Sequence, residues 1–253
     1  EYDYRSDISQ VGFQSIMTIA NASDHLFEFG VESNFYELNT GEIRPNSDTS
    51  SVNPSNNPID QGMENALFVH FENSSANRIS YQVGVRFSSF MNYGSREGFA
   101  YTGEADLINV SDTISYSGFY NPQYGIEPRF NIRYSLNQNN SIKLGYQRMR
   151  QHTHVVSITS AIAPSDYWKL SDPNIPISTA DQVNLGYFTN RRNVGISIEG
   201  FYKRSNNVLD FRDGGQIFLN PEVETATILA EGESYGMEFK LEKSGRLNGW
   251  LSY

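Results

Sequence analysis

Between Ile126 and Leu136 the chain alternates without a break. Ile126, Pro128, Phe130, Ile132, Tyr134 and Leu136 are apolar, and Glu127, Arg129, Asn131, Arg133 and Ser135 between them are polar. After a polar stretch at 137–140 the order resumes, with Ile142, Leu144 and Tyr146 on one side and Lys143, Gly145 and Gln147 on the other. A period of two sends successive side chains to opposite faces of a strand. Each such strand has one face suited to an apolar medium and one suited to water.

The same signature recurs about ten times. Val11, Phe13, Met17 and Ile19 oppose Gln10, Gly12, Gln14 and Thr18. Phe27, Phe29, Val31 and Phe35 oppose Glu28, Gly30, Glu32 and Asn34. Leu67, Val69 and Phe71 mark a third strand, and Ile79, Tyr81, Val83, Val85 and Phe87 oppose Ser80, Gln82, Gly84, Arg86 and Ser88 in a fourth. The two strands around 137–140 follow, then one with Val183, Leu185 and Tyr187. Val194, Ile196, Ile198 and Tyr202 oppose Ser197, Glu199 and Lys203. Tyr235, Met237, Phe239 and Leu241 oppose Glu238, Lys240 and Glu242, and a last run covers 247–253. Runs of about 9–11 residues match a tilted membrane-crossing strand and exceed the ~5–6 usual in soluble sheets.

The connections alternate as regularly as the residues. Short polar turns are expected near 21–25, 74–77, 137–140, 190–193 and 244–246, and long loops near 38–62, 93–125, 151–179 and 209–232. Structureless loops beyond ~12–15 residues are uncommon in compact soluble domains. Short turns at one end and long loops at the other are the arrangement of outer-membrane barrels. A soluble module remains open at this point, since a second sheet would cover the same apolar face.

Composition narrows the choice. The 253 residues are 38% hydrophobic and 19% charged, and no run approaches the ~18 apolar residues of a spanning helix. A net charge of -10 excludes a general nucleic-acid binder. No cysteine is present, which removes disulfides and thiol chemistry. The chain opens EYDYRSDISQ and closes GWLSY inside an apparent strand, so the expectation is a segment of a longer protein. The polar faces carry Glu28, Glu32, Arg86, Glu127, Arg129, Arg133, Glu199, Lys203, Glu238 and Lys240. In a wide barrel these ten point into a hydrated or plugged lumen, where charge is cheap.

Candidate chemistry is sparse. His152 and His154 share one side of an extended stretch, as a metal pair would, but read better as polar residues at a strand mouth. Asp166, Asp172, Asp210 and Asp213 lack the dense spacing of a calcium loop and read as solvated loop acids. No nucleophile elbow is present, so no catalytic residue, metal or cofactor is assigned. Tyr116, Phe119, Tyr120, Tyr124, Tyr167 and Trp168 gather in two loops and suit stacking on a ligand, an interfacial aromatic girdle, or packing within the loops.

Several phrases, taken together, resemble a known family: the EPRF pair with its following strand, QRMRQHTHVVS, SDYWKLSDPNIPISTADQVNLGYF, IEGFYKRSNNVLDFRDG and AEGESYGMEFKLEKSGRLNGWLSY. They are similar to the β-barrel of TonB-dependent outer-membrane receptors of the Bacteroidota type. The resemblance implies an all-β, antiparallel up-and-down barrel of about 22 strands, of which this chain supplies about ten. It implies a plug domain and a TonB box elsewhere in the protein, with residues 1–253 a barrel segment only. It implies uptake of a nutrient (metal chelate, glycan or peptide) powered by TonB, ExbB and ExbD, in contact with outer-membrane lipid and, in some members, a surface lipoprotein. A soluble β-rich binding module and an outer-membrane barrel enzyme are the alternatives.

Overall fold

The computed structural model describes residues 1–21, 24–47, 49–74, 78–102, 109–156, 166–216 and 219–253. Its main sheet is a meander. Strands β1 (Tyr2–Ala20), β2 (His25–Pro45), β4 (Asp60–Asn73), β5 (Ile79–Tyr93) and β8 (Phe119–Ser135) lie side by side. β9 (Asn140–Gln151), β12 (Ser178–Arg191), β13 (Val194–Phe211), β14 (Thr227–Lys243) and β15 (Gly249–Ser252) continue the order. Every neighbour is antiparallel, and a short β3 (Ser55–Asn56) pairs with β2. The sheet is an open one, with β1 and β15 at its edges.

Tight connections follow from local chemistry. Between β12 and β13 only Arg192 and Asn193 intervene, and Arg192 takes φ 55°. A left-handed residue there matches the twist of the paired strands. Between β8 and β9 the Asn137 carboxamide oxygen accepts the amides of Asn139 and Asn140 at 2.9 and 3.0 Å. The turns expected near 21–25 and 74–77 lie partly outside the described residues.

The strands outrun their expected lengths, reaching 21 residues in β2 and 19 in β1. Much of what reads as long loop is strand, because the polarity of the two faces inverts partway up. Low in β2, Phe27, Phe29 and Val31 face out and Glu28 and Glu32 face the other way. Higher up, Leu38 is fully buried on the polar-lined side and Glu37 faces out with Gln61. In β5, likewise, Phe87 is exposed on one face and Phe90 is buried on the other.

The apolar face of the lower halves is uncovered. Val11 is 71% exposed, Leu185 57% and Met237 75%, and comparable residues extend across the whole sheet. A wall of that extent is far larger than the patches water tolerates, and it suits lipid.

The remaining loops carry their own structure. β6 (Arg96–Thr102) pairs with β7 (Asn109–Tyr116), β10 (Thr153–Val156) pairs with β11 (Tyr167–Leu170), and η1 (Val223–Ala226) is a short helix. β11 lies against β2 and β4. Two small cores hold this cap: Tyr167 with Ile175, Leu209, Val223 and Ala226, and Leu38 with Phe90, Leu170 and Ile177.

Candidate functional site: the charged wall and its loop cap

On the polar face, midway up, one guanidinium gathers three carboxylates. Arg86 on β5 donates to Glu127 on β8 and Glu64 on β4, both at 2.7 Å, and reaches Glu32 on β2 at 3.4 Å. Ser88 donates to the same Glu127 oxygen at 2.7 Å, and Tyr36 to Glu64 at 3.2 Å. Arg150 passes over Gly125, where a Cβ would collide with its guanidinium, and donates to Ser88 Oγ at 3.0 Å. Five strands, β2, β4, β5, β8 and β9, are thus tied by side chains far apart in sequence. Charges this poorly hydrated are tolerated because each has a geometric partner.

The second cluster lies in the cap. Lys169 on β11 has no solvent contact, and its ammonium lies 2.8 Å from Asp172, 3.2 Å from Asp60 and 3.4 Å from Glu224. Arg96 on β6 pairs with Asp60 and lies 3.9 Å from both Asp172 and Glu224. Tyr101 donates to Glu224 at 2.9 Å. Burial alone would release the Lys169 proton, but the carboxylates of Asp172 and Asp60 outweigh it and hold the ammonium well above its usual range. For Asp172, burial raises the carboxyl pKa, and Lys169 and Arg96 pull it below the ordinary value. The knot joins the start of β4, the β6–β7 hairpin, β11 and η1. It organises the cap.

The six aromatic candidates separate into three environments. Tyr116 and Tyr120 stack on each other, with ring centroids 4.5 Å apart and planes 14° apart, beside Arg96. Phe119 packs on Tyr93, and Tyr124 stacks on Phe87 at 6.1 Å; both are exposed on the apolar face. Tyr167 is buried in the loop core, so its ring holds loops together and offers no face to a ligand. Trp168 is partly buried against the second core.

The histidines do not converge on a metal. His152 stacks on Phe90 at 4.6 Å and lies 3.4 Å from Glu64, whereas His154 shares a hydrogen bond with Ser171 at 2.9 Å. Burial lowers both pKa values, that of His154 to about 4, so both rings are neutral at pH 7. Among the described residues no group of three potential ligands is present. The loop acids also need correction. Asp166 and Asp172 are buried, not solvated, while Asp210 and Asp213 stay exposed.

Cross-strand register places all ten charged candidates on one face. Glu28 opposes Thr18 and His70, and Arg129 opposes Gly84 and Gln147. Arg133 opposes Lys143, Lys203 opposes Gln182, and Glu199 opposes Glu238. Lys240 pairs along its own strand with Glu242 at 2.8 Å. Sequence reasoning missed Glu64, Asp60, Arg96, Lys169 and Glu224. Only the Lys169–Asp172 spacing of three was visible there.

The comparisons agree with this geometry. A family model described as "TonB dependent receptor-like, beta-barrel" matches residues 1–253. No curated protein matches significantly. Among solved structures, the chain is similar to the FrpB iron transporter of Neisseria meningitidis (F3-3 variant), with 10% identity and a TM-score of 0.56 over 94% of this chain and 33% of that one. It is similar to the Copper transporter OprC, with 13% identity and a TM-score of 0.61 over 96% and 36%. It is also similar to the Serratia marcescens hemophore receptor HasR, solved with its hemophore HasA and heme, with 11% identity and a TM-score of 0.60 over 96% and 41%. At these identities the likeness shows the fold, and the chain spans between 33% and 41% of each solved protein. With the family match covering every residue, the chain belongs to the TonB-dependent receptor-like β-barrel family, receptors of the bacterial outer membrane.

Proposed function

We propose that the full-length protein imports a scarce nutrient across the outer membrane, energised by TonB, ExbB and ExbD through a plug domain and TonB box outside this chain. On this reading residues 1–253 are slightly under half of a barrel of about 22 strands. The apolar wall faces lipid, and Glu28, Glu32, Arg86, Glu127, Arg129, Arg133, Glu199, Lys203, Glu238 and Lys240 face the lumen. One observation carries it: a single sheet, apolar on one face and charged on the other, has its loops folded into a cap at one end. Ligand meets that cap first, with the Tyr116–Tyr120 stack and Trp168 as the rings placed to contact it. Phe119 and Tyr124 belong to the aromatic girdle.

A metal chelate is the substrate class that the names of the solved proteins support: an iron transporter, a copper transporter and a hemophore receptor. A glycan or peptide, delivered with a surface lipoprotein, is the alternative. The Bacteroidota-type assignment rests on the sequence phrases quoted above. Accumulation of radiolabelled ferric, cupric and heme ligands in cells with and without TonB tests the reading. Uptake that needs both this protein and TonB supports it; equal uptake without TonB overturns it.

A further inference from the structure

At the level of Tyr146, Tyr202 and Tyr235 the two faces of the wall carry charge differently. On the apolar face register aligns Arg148, Asp181, Arg204 and Glu233, with alternating signs. Arg148 donates to Asp181 at 2.8 and 2.9 Å, Tyr202 to Glu233 at 2.9 Å, and Arg204 to Glu231 at 2.9 Å. That row satisfies itself. On the polar face the adjoining row runs Arg129, Gln147, Gln182, Lys203 and Ser234, and the next one up runs Met149, Ala180, Ser205 and Gly232. These two rows hold two cations and no acid.

Lys203 is half-buried between Gln182 and Ser234, and among the described residues it joins no ion pair. It borders a hollow of about 490 Å³ between the wall strands β9, β12 and β13 and the cap strand β10. Ser205 brings a hydroxyl to this hollow, and Val155, Val208 and Leu209 give it an apolar side. Arg150 borders it too, with its guanidinium donating to the Ser88 carbonyl and hydroxyl at 3.3 and 3.0 Å. Among the described residues no carboxylate lines it, in a chain of net charge -10. The two hollows lower on the same face are both bordered by Glu199. A partly desolvated ammonium without a counter-ion is costly, so this hollow favours an anion that arrives from outside the wall.

We propose that this hollow holds the anionic group of the imported ligand, a small organic acid or a chelate bearing one. Its carboxylate lies on the Lys203 ammonium, the Ser205 hydroxyl donates to a second oxygen, and its carbon skeleton lies against Val155, Val208 and Leu209. The lining narrows the occupant. A bare metal ion is repelled by the ammonium, a neutral sugar leaves it unanswered, and an inorganic anion leaves the apolar side unfilled. The volume falls within the roughly 300–1,000 Å³ usual for small-molecule sites. The proposal rests on the reading of the full-length protein as an importer, and adds the charge of the ligand and a place on the wall where it rests.

The test titrates the full-length protein in detergent with citrate, benzoate, maltose and inorganic phosphate by calorimetry, beside Lys203→Gln and Lys203→Arg. Gel migration with and without boiling checks that each variant keeps the compact form. At least one of the two organic acids is expected to bind, and maltose is not. Lys203→Gln should weaken that binding roughly ten- to hundredfold, the worth of a hydrogen bond to a charged group, and Lys203→Arg should retain most of it. Failure of both acids to bind the unmodified protein, or equal affinity in Lys203→Gln, overturns the site. Phosphate bound as tightly as the organic acids also overturns it, in favour of an inorganic-anion site. Uptake of the radiolabelled acid by cells separates this site from the importer reading. Uptake that needs TonB but not Lys203 overturns the site and leaves the importer; uptake that needs Lys203 but not TonB does the reverse.

Discussion

Lys169 and Asp172, three residues apart, form a 2.8 Å ion pair from which solvent is excluded. Asp60 and Glu224 complete its anionic surroundings from elements more than 50 residues away on either side. The pair fixes where the β11 hairpin sits on the wall, and so fixes the shape of the cap.

Lys169→Met removes one of two cations from three buried carboxylates. Breaking a buried pair by deleting one partner costs about 3–5 kcal/mol. The expected result is a lowered opening free energy by hydrogen exchange across 166–175 in the full-length protein, with the barrel still compact on unboiled gels. Exchange equal to that of the unmodified protein would show that the knot contributes nothing to the cap.

The cap weakens with acid. The His154 pKa lies at about 4, lowered by burial and then by His152, against an ordinary value of 6.5. Because the unfolded segment takes up the proton first, this contribution is complete above pH ~6.5 and declines as pH falls toward 4, by on the order of 3 kcal/mol. The depressed Asp172 carboxyl adds a second loss, below about pH 4. The opening free energy by hydrogen exchange across 166–175 in the full-length protein should fall between pH 6.5 and 4, and His154→Gln should flatten that part of the curve. An unaltered curve would remove His154 from the account.

The two faces should answer arginine differently. Ile198→Arg or Phe239→Arg, on the lipid side, is expected to cost about 2–4 kcal/mol near the membrane midplane in urea unfolding of the full-length protein. Ser197→Arg or Lys240→Arg should be mild. Equal costs on both faces would contradict the assignment of the apolar wall to lipid.

Among the aromatic residues, Tyr116→Ala and Tyr120→Ala should each weaken ligand binding by about 0.5–1.5 kcal/mol, the worth of an aromatic contact. Phe119→Ala and Tyr124→Ala, on the lipid side, should leave affinity unchanged. Titration of the imported ligand against each variant distinguishes the two groups.

The lower halves of the strands were legible because lipid on one side and water on the other impose a strict period of two. The legible pattern stops near Phe35 and Phe87, where the apolar side changes to the opposite face. Leu38 continues as strand but reads as loop, and Phe90 lies past the last residue of the alternating run that the sequence shows. The knot was illegible for a different reason. A lysine in a polar loop has the composition of a solvated residue, and Lys169 is buried only because Asp60, Arg96 and Glu224 arrive from three other segments. Tyr167 shares this ambiguity, since an aromatic ring in a loop suits a binding surface and a loop core equally, and the structure buries it in the core.

The central claim is that this chain is part of the wall of a membrane barrel. Its most direct test is gel migration of the full-length protein in detergent, with and without boiling, beside residues 1–253 alone. The account predicts a fast, compact unboiled species for the full-length protein and none for the segment, whose sheet is open at β1 and β15. A segment that is folded, monomeric and soluble in plain buffer would contradict it and leave a soluble β module in its place.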